Sequence, residues 1–254
     1  MVVPNNNSIF YIRKNPKARM RLILFSYAGG SASTFWPYQQ LIHPLLEVVA
    51  VQLPGRGARL KDPLITEWSL MKSLIETELA VLADIPYILF GHSFGARLVF
   101  EYALYQTKIG NPPLHAFFSG AQAPYLEKTS SPIHHLPDQE FIERLVTMGG
   151  TPKIVSDNNE LMQILLPMLR ADFKLSYLHK VEAKCYFNFP ATVLYGNKDN
   201  FTSFDAIEAW QHLFSLPINI SCVEGDHYYI NSNKESVALY INEVVENILI
   251  DKAC

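Results

Sequence analysis

Residues 85–100 read IPYILFGHSFGARLVF, and three signals follow one another inside them. Positions 87–90 are a short apolar run bounded by turn chemistry, the pattern of a buried strand. Gly91-His92-Ser93-Phe94-Gly95 comes next, and then Leu98, Val99, Tyr102 and Ala103 recur at helical spacing. Strand, G-x-S-x-G and helix in immediate succession is the context that carries a serine on a sharp turn with its hydroxyl exposed. The turn is strained at the serine. Strand and helix cross so closely that positions 91 and 95 suit glycine. The Phe94 N–H is left at a helix N-terminus, where it can stabilise a developing oxyanion.

Working outward, the patterning predicts an edge strand at 8–13 and buried strands at 21–25, 48–53, 115–119, 190–195 and 218–223. Helices are predicted at 34–46, 68–82, 204–214 and 234–249. Short apolar strands alternating with helices imply a mostly parallel sheet covered on both faces. With the serine turn at its centre, the expected architecture is the α/β-hydrolase fold, as a single domain over 1–254. Residues 124–189 break the alternation with two predicted helices, 138–148 and 158–180, joined by Gly149-Gly150-Thr151-Pro152. The second carries Leu161, Ile164, Leu165, Met168, Leu169, Phe173 and Leu175, more than one core-facing stripe needs. An insertion of this length between two strands is usually functional. The expectation is a helical lid, one face on the core and another lining an apolar chamber.

Composition narrows the class. A chain of 254 residues with 49% hydrophobic content can bury a sizeable core, and its formal charge of −3 does not suit a nucleic-acid binder. Three widely spaced cysteines, Cys185, Cys222 and Cys254, fit reduced thiols better than a disulfide framework. The first twenty residues contain no apolar signal-like core, and no stretch reaches the roughly 20 apolar residues of a membrane span. A cytoplasmic protein without membrane or nucleic-acid partners is expected, and a monomer, since no heptad seam asks for a partner helix.

A serine hydroxyl needs a base to take its proton, and the base needs an acid to orient it. In this fold the chain order is Ser, then Asp or Glu, then His. Asp199 closes Gly196-Asn197-Lys198-Asp199 after one predicted strand, and His227 closes Gly225-Asp226-His227 after the next. Both stand at strand carboxyl ends, where open α/β sheets collect their functional groups. Asp205 and Asp226 are weaker candidates for the acid. His92 lies within the turn with its ring expected to point away from Ser93. His134 and His135 lack a carboxylate or thiol at ligand spacing, so no metal is expected. The second oxyanion donor is expected from Tyr27-Ala28-Gly29-Gly30, with the Ala28 N–H first and Tyr27 as its alternative.

The chain resembles the type II (external) thioesterases that serve nonribosomal peptide and polyketide synthases, a group that includes the medium-chain thioesterase acting beside animal fatty acid synthase. The matching stretches are LFSYAGGSAS (24–33), QLPGRGAR (52–59), FGHSFGA (90–96), MGGTP (148–152), LPMLRADF (166–173), YGNKD (195–199) and EGDHYYI (224–230). They run in family order along nearly the whole chain. The resemblance implies hydrolysis of acyl groups held as thioesters on carrier-protein phosphopantetheine, without a cofactor. It implies Ser93 as nucleophile, His227 as base, Asp199 as orienting acid, and Ala28 and Phe94 as oxyanion donors; Tyr27, Met168 and Phe173 are expected on the substrate chamber. Alternatives are a chain-terminating fatty acyl thioesterase, an acyl-CoA or small-molecule esterase, and a non-catalytic binding protein of the same fold. The chain departs from the family at Tyr27, often His, at Tyr228 or Tyr229, one of which is often Phe, and at Arg97, often small or apolar. Basic residues at 13–21 (Arg13, Lys14, Lys17, Arg19, Arg21) and 56–61 (Arg56, Arg59, Lys61) are candidates for docking an acidic carrier.

Overall fold

In the computed structural model, which describes residues 7–128, 131–150 and 153–251, seven strands form one sheet in the order β1-β3-β2-β4-β5-β6-β7. The strands are β1 (Ile9–Arg13), β2 (Met20–Phe25), β3 (Leu46–Val51), β4 (Tyr87–His92), β5 (His115–Ser119), β6 (Ala191–Gly196) and β7 (Asn219–Val223). Only the edge strand β1 runs antiparallel; the other five pairings are parallel. Every residue of β2, β4 and β5 is buried, as a parallel sheet covered on both faces requires.

The two faces follow from strand alternation. Ile23, Phe25 and Leu89 point into a core shared with α1 (Trp68–Thr77) and α2 (Phe94–Lys108). Leu22, Leu24, Ile88 and Phe90 point the other way, against Val237, Ile241 and Val245 of the C-terminal helix Lys234–Asp251. Between β5 and β6 stand α3 (Asp138–Thr147), α4 (Lys153–Ser156) and α5 (Asn159–Leu178). Phe141, Leu145, Met162, Leu166, Met168 and Leu169 give these helices a small apolar cluster of their own, while Leu175 near the end of α5 joins the main core. Thr151 and Pro152 of the Gly-Gly-Thr-Pro stretch, and Cys254, lie outside the described residues; Cys185 and Cys222 are free thiols. Among the described residues no helix is long and apolar enough to cross a membrane.

Three predicted helices are shorter than their patterning suggested. Residues 34–46 form only the 3-10 turn Ala32–Tyr38, because Pro37 lacks the N–H that an α-helix needs. The 68–82 helix ends at Thr77 and continues as the 3-10 turn Ala80–Ala83, whose Leu82 carbonyl is taken by the Arg21 guanidinium at 2.7 Å. Residues 204–214 split into α6 (Phe204–Glu208) and the 3-10 turn Ala209–Leu213, where Trp210 buries its ring and donates to the Ala121 carbonyl at 2.7 Å.

Several candidate docking charges serve the fold instead. Arg13 donates to the carbonyls of Gln39, Ile42, His43 and Leu46. Arg21 is buried between Glu47 and Asp84, Arg56 is paired with Asp172, and Arg59 holds Asp62 and Glu78. Lys14, Lys17, Arg19 and Lys61 remain exposed. Arg97 is buried, its Nη1 has no partner among the described residues, and burial pushes it down to about 10. Nothing in its surroundings explains its charge.

Buried histidines make the stability pH-dependent. His115, which contacts Thr192 Oγ1 at 2.9 Å, is pushed by burial down to about 4. Its neutral form is the folded form, so its stabilisation is present above the unfolded value of about 6.5 and is lost as pH falls from there towards 4. In that window one such group contributes a slope of up to about 1.4 kcal/mol per pH unit. Urea unfolding between pH 7 and 5 should therefore show a shallower fall for His115→Gln than for the native chain; parallel curves would mean the imidazole titrates alike folded and unfolded.

Candidate active site

The sheet ends its central strand on the serine. Ser93 has φ 55° and ψ −112°, and it is the one non-glycine among the described residues with positive φ. Its N–H is held by the Ser119 carbonyl at 2.7 Å, which fastens the turn to the end of β5. A Cβ on Gly91 would stand 2.2 Å from the Gly95 carbonyl oxygen, and one on Gly95 would stand 2.2 Å from the Phe25 carbonyl oxygen. Real Cβ atoms do not approach backbone so closely, so the crossing exists only with glycine at both places. The start of α2 is thereby pressed against the end of β2, next to the Tyr27-Ala28-Gly29-Gly30 loop.

Loops after β6 and β7 deliver the other two groups. Asp199 is held by its own N–H on the Gly196 carbonyl at 3.1 Å, and its Oδ1 accepts from Phe201 N–H at 2.9 Å. Its Oδ2 lies 2.8 Å from His227 Nδ1, and His227 Nε2 lies 3.0 Å from Ser93 Oγ. Asp199 and His227 side chains are 1% and 7% exposed, so the pair is shielded from competing water. A carboxylate only accepts, so Nδ1 carries the proton and the Nε2 lone pair faces the serine hydroxyl. The three groups form one hydrogen-bonded line able to draw a proton from Ser93. The other acids lie elsewhere: Asp205 is exposed on α6, and Asp226 accepts from Tyr228 N–H at 2.8 Å.

Of the predicted oxyanion donors, Phe94 follows the serine at the start of α2 and Ala28 stands on the loop after β2. Neither the Ala28 nor the Phe94 N–H has an acceptor among the described residues, whereas the neighbouring Gly29 and Gly30 N–H groups are both bonded, to Asp172 and to the Tyr27 carbonyl. A cavity of about 130 Å³ lies against Ala28, walled also by Tyr27 and Tyr228 and by Leu165, Met168, Leu169 and Phe173 of α5. Tyr27, Met168 and Phe173, singled out for the chamber, all stand on its wall.

One participant escaped the sequence reading. The His92 ring makes no hydrogen bond to Ser93, as expected, but it lies under His227, with Nε2 2.7 Å from the His227 carbonyl and Nδ1 2.9 Å from Ser119 Oγ. The carbonyl can only accept, so Nε2 carries the proton and Nδ1 accepts from Ser119, which also contacts the Tyr229 hydroxyl. Burial holds His92 well below its ordinary value, which keeps it neutral in this role. Nothing in the local sequence announces the bond, since it joins residues 135 positions apart.

A seven-stranded, mostly parallel sheet with serine, histidine and aspartate meeting at its carboxyl edge defines an α/β-hydrolase. A thioesterase domain model matches residues 20–245. The gramicidin S biosynthesis protein GrsT of Aneurinibacillus migulanus is 34% identical over 94% of this chain and 93% of its own length. The medium-chain S-acyl fatty acid synthase thioesterase of Rattus norvegicus is 30% identical over 96% and 95%. Among solved structures, ClbQ from the colibactin NRPS/PKS pathway superposes with a TM-score of 0.84 at 28% identity, covering 92% of this chain and 99% of that one. The chain belongs to the thioesterase family, as a type II thioesterase related to the medium-chain fatty acid synthase enzymes.

The turn geometry has a measurable consequence. Positive φ costs a non-glycine residue on the order of 1–3 kcal/mol, and glycine escapes most of it. Ser93→Gly should unfold at higher urea than Ser93→Ala, by about 1 kcal/mol. Equal stability would place the strain elsewhere in the turn.

Proposed function

We propose that the enzyme frees carrier domains of a nonribosomal peptide or polyketide synthase by hydrolysing unwanted acyl groups from their phosphopantetheine thiols. The observation that carries this reading is the Ser93–His227–Asp199 line, with a cavity of about 130 Å³ against the Ala28 loop. Ser93 Oγ attacks the thioester carbonyl while His227 Nε2 takes its proton, and Asp199 orients the imidazole and stabilises its charged form. The Ala28 and Phe94 N–H groups hold the oxyanion. Collapse of the tetrahedral intermediate breaks the C–S bond, and the thiolate receives the proton from His227. Water then repeats the cycle on the acyl-serine, releasing the acid and restoring Ser93.

Residues 124–189 act as a lid in this reading, hinged near Gly149, whose φ is +78°. Gly150 packs against Tyr228 so closely that a Cβ would stand 1.9 Å from its hydroxyl, so the lid touches the wall next to the base. The partner is an acyl carrier protein, met by a cytoplasmic monomer, and Lys14, Lys17, Arg19 and Lys61 are the exposed candidates for an acidic carrier. Ser93→Ala and His227→Ala should abolish turnover, and Asp199→Asn should cost about 10⁴-fold in kcat. A fluorophosphonate should label the native chain at Ser93 and leave Ser93→Ala unlabelled. With acyl-carrier protein followed by mass spectrometry, hydrolysis should outrun that of the same acyl group on coenzyme A, by a margin that shrinks as salt rises. Equal rates would make this a general acyl thioesterase.

Chamber size separates editing from chain termination. The cavity holds about 130 Å³, so kcat/KM should fall once the acyl chain outgrows it. Phe173→Ala should move that limit upward. A native preference for chains of twelve carbons would favour the chain-terminating reading.

A further inference from the structure

The family motifs LPGR and RADF supply two buried charges that the reaction above does not use. Arg56 Nη1 and Nη2 donate to Asp172 Oδ2 and Oδ1 at 2.5 and 2.7 Å, a two-pronged pair whose side chains are 7% and 2% exposed. A pair this buried is weak evidence for stability, since desolvation offsets most of its attraction. What each partner does with its remaining hydrogen-bonding capacity is more informative. Asp172 Oδ2 also accepts from Gly29 N–H at 2.8 Å, and Arg56 Nη1 also donates to the Gly30 carbonyl at 3.1 Å. Both contacts fall on the turn that carries Ala28.

That turn leaves one N–H free by construction. Gly30 N–H donates to the Tyr27 carbonyl at 2.9 Å, and Gly29 has φ +80°, the β-turn geometry that wants glycine in its third place. The Tyr27 carbonyl and the Ala28 N–H belong to one trans peptide, so they point in opposite directions. Holding that carbonyl inside the turn therefore turns the Ala28 N–H outward. The next peptide is fixed by Asp172 through Gly29 N–H, and the far end of the turn is fixed by Arg56 through Gly30. Leu169, one helical turn before Asp172 on α5, closes the arrangement: a Cβ on Gly29 would stand 2.4 Å from its Cδ2.

We propose that Arg56 and Asp172 are positioning residues that hold the Ala28 N–H in its oxyanion-binding orientation and make that orientation depend on the seating of α5. The proposal rests on the reading of Ser93 as nucleophile and Ala28 as oxyanion donor. Neither residue stands on the cavity wall, so their loss should act on the transition state and not on acyl binding. Lysine in place of Arg56 offers a point charge that cannot serve both carboxylate oxygens and the Gly30 carbonyl together.

The test compares Arg56→Lys and the double variant Arg56→Met/Asp172→Leu with the native enzyme. The double variant removes both charges together, so no buried charge is left unpaired. Two ligands divide the effects. An alkyl trifluoromethyl ketone accepts Ser93 Oγ at its carbonyl, with the serine proton passing to His227, and so forms a tetrahedral oxyanion. A thioether analogue of the acyl thioester lacks the carbonyl and forms none. In both variants kcat and affinity for the ketone should fall together by about 10²-fold, the scale of one lost oxyanion donor. KM and affinity for the thioether should stay within about twofold, following the rule for interactions made only in the transition state. Recovery of kcat in the double variant, or a loss carried by KM and thioether affinity, would overturn the proposal. If the double variant fails to fold, native kcat and native ketone affinity in Arg56→Lys would overturn it equally. Failure of the underlying reading looks different: the fluorophosphonate would then miss Ser93 in the native enzyme itself.

Discussion

Strand β4 and helix α2 approach so closely that the backbone at 91 and 95 has no room for a side chain, and the rest of the site depends on that approach. It forces Ser93 to φ 55°, a conformation worth on the order of 1–3 kcal/mol of strain. A segment does not adopt such a conformation alone. It is imposed by β4, buried along its whole length between β2 and β5, and by α2, which buries eleven residues from Phe94 to Gln106. Burial of large residues such as Phe90, Phe94 and Phe100, at roughly 1.5–3 kcal/mol each, outweighs the strain at one turn. The same crossing brings the first turn of α2 against the end of β2, which sets two loops distant in sequence beside one serine.

Below the reacting groups lies a second, polar layer. His92, Ser119 and Tyr229 are buried: His92 donates to the His227 carbonyl and accepts from Ser119, and the single Tyr229 hydroxyl proton faces both Ser119 Oγ and the Leu194 carbonyl. A half-satisfied network in this position would cost stability and let the histidine loop drift. Satisfied, it fixes the backbone of His227 from beneath while Asp199 fixes the ring from the side. The strands contribute most of it: Ser119 ends β5, and the Leu194 carbonyl belongs to β6.

The positions of the strands along the chain and the serine turn were legible because they rest on local pattern: apolar runs, period, and glycines at fixed offsets. Asp199 and His227 were legible because strand ends are places where functional groups gather, so their position carried the signal. The helices at 34–46, 68–82 and 204–214 came out short because proline placement and single tertiary contacts, such as Leu82 with Arg21, decide where an α-helix gives way. Charge was the least legible property. Arg13, Arg21, Arg56 and Arg59 sit in runs that look like an exposed basic surface, yet each side chain turns inward to carbonyls or carboxylates from other elements. Sequence gives the sign of a charge but not the partner that neutralises it, and His92 illustrates the same limit for a neutral group.

Helix α5 joins the two halves of the site. Leu165, Met168, Leu169 and Phe173 face the cavity, and Asp172 from the same stretch bonds the Gly29 N–H. Helical spacing makes this unavoidable, because residues 165, 168, 169 and 172 share one face. On the proposed reading, an acyl group that fits leaves the helix seated and the Ala28 N–H in place. A longer chain must lift that face, and the same displacement strains the bond to Gly29. Discrimination would then be felt in the rate of acyl transfer as well as in binding. An enzyme that meets every acyl group already tethered to a carrier has little to gain from discriminating in binding alone, since the tether raises the local concentration of right and wrong groups alike.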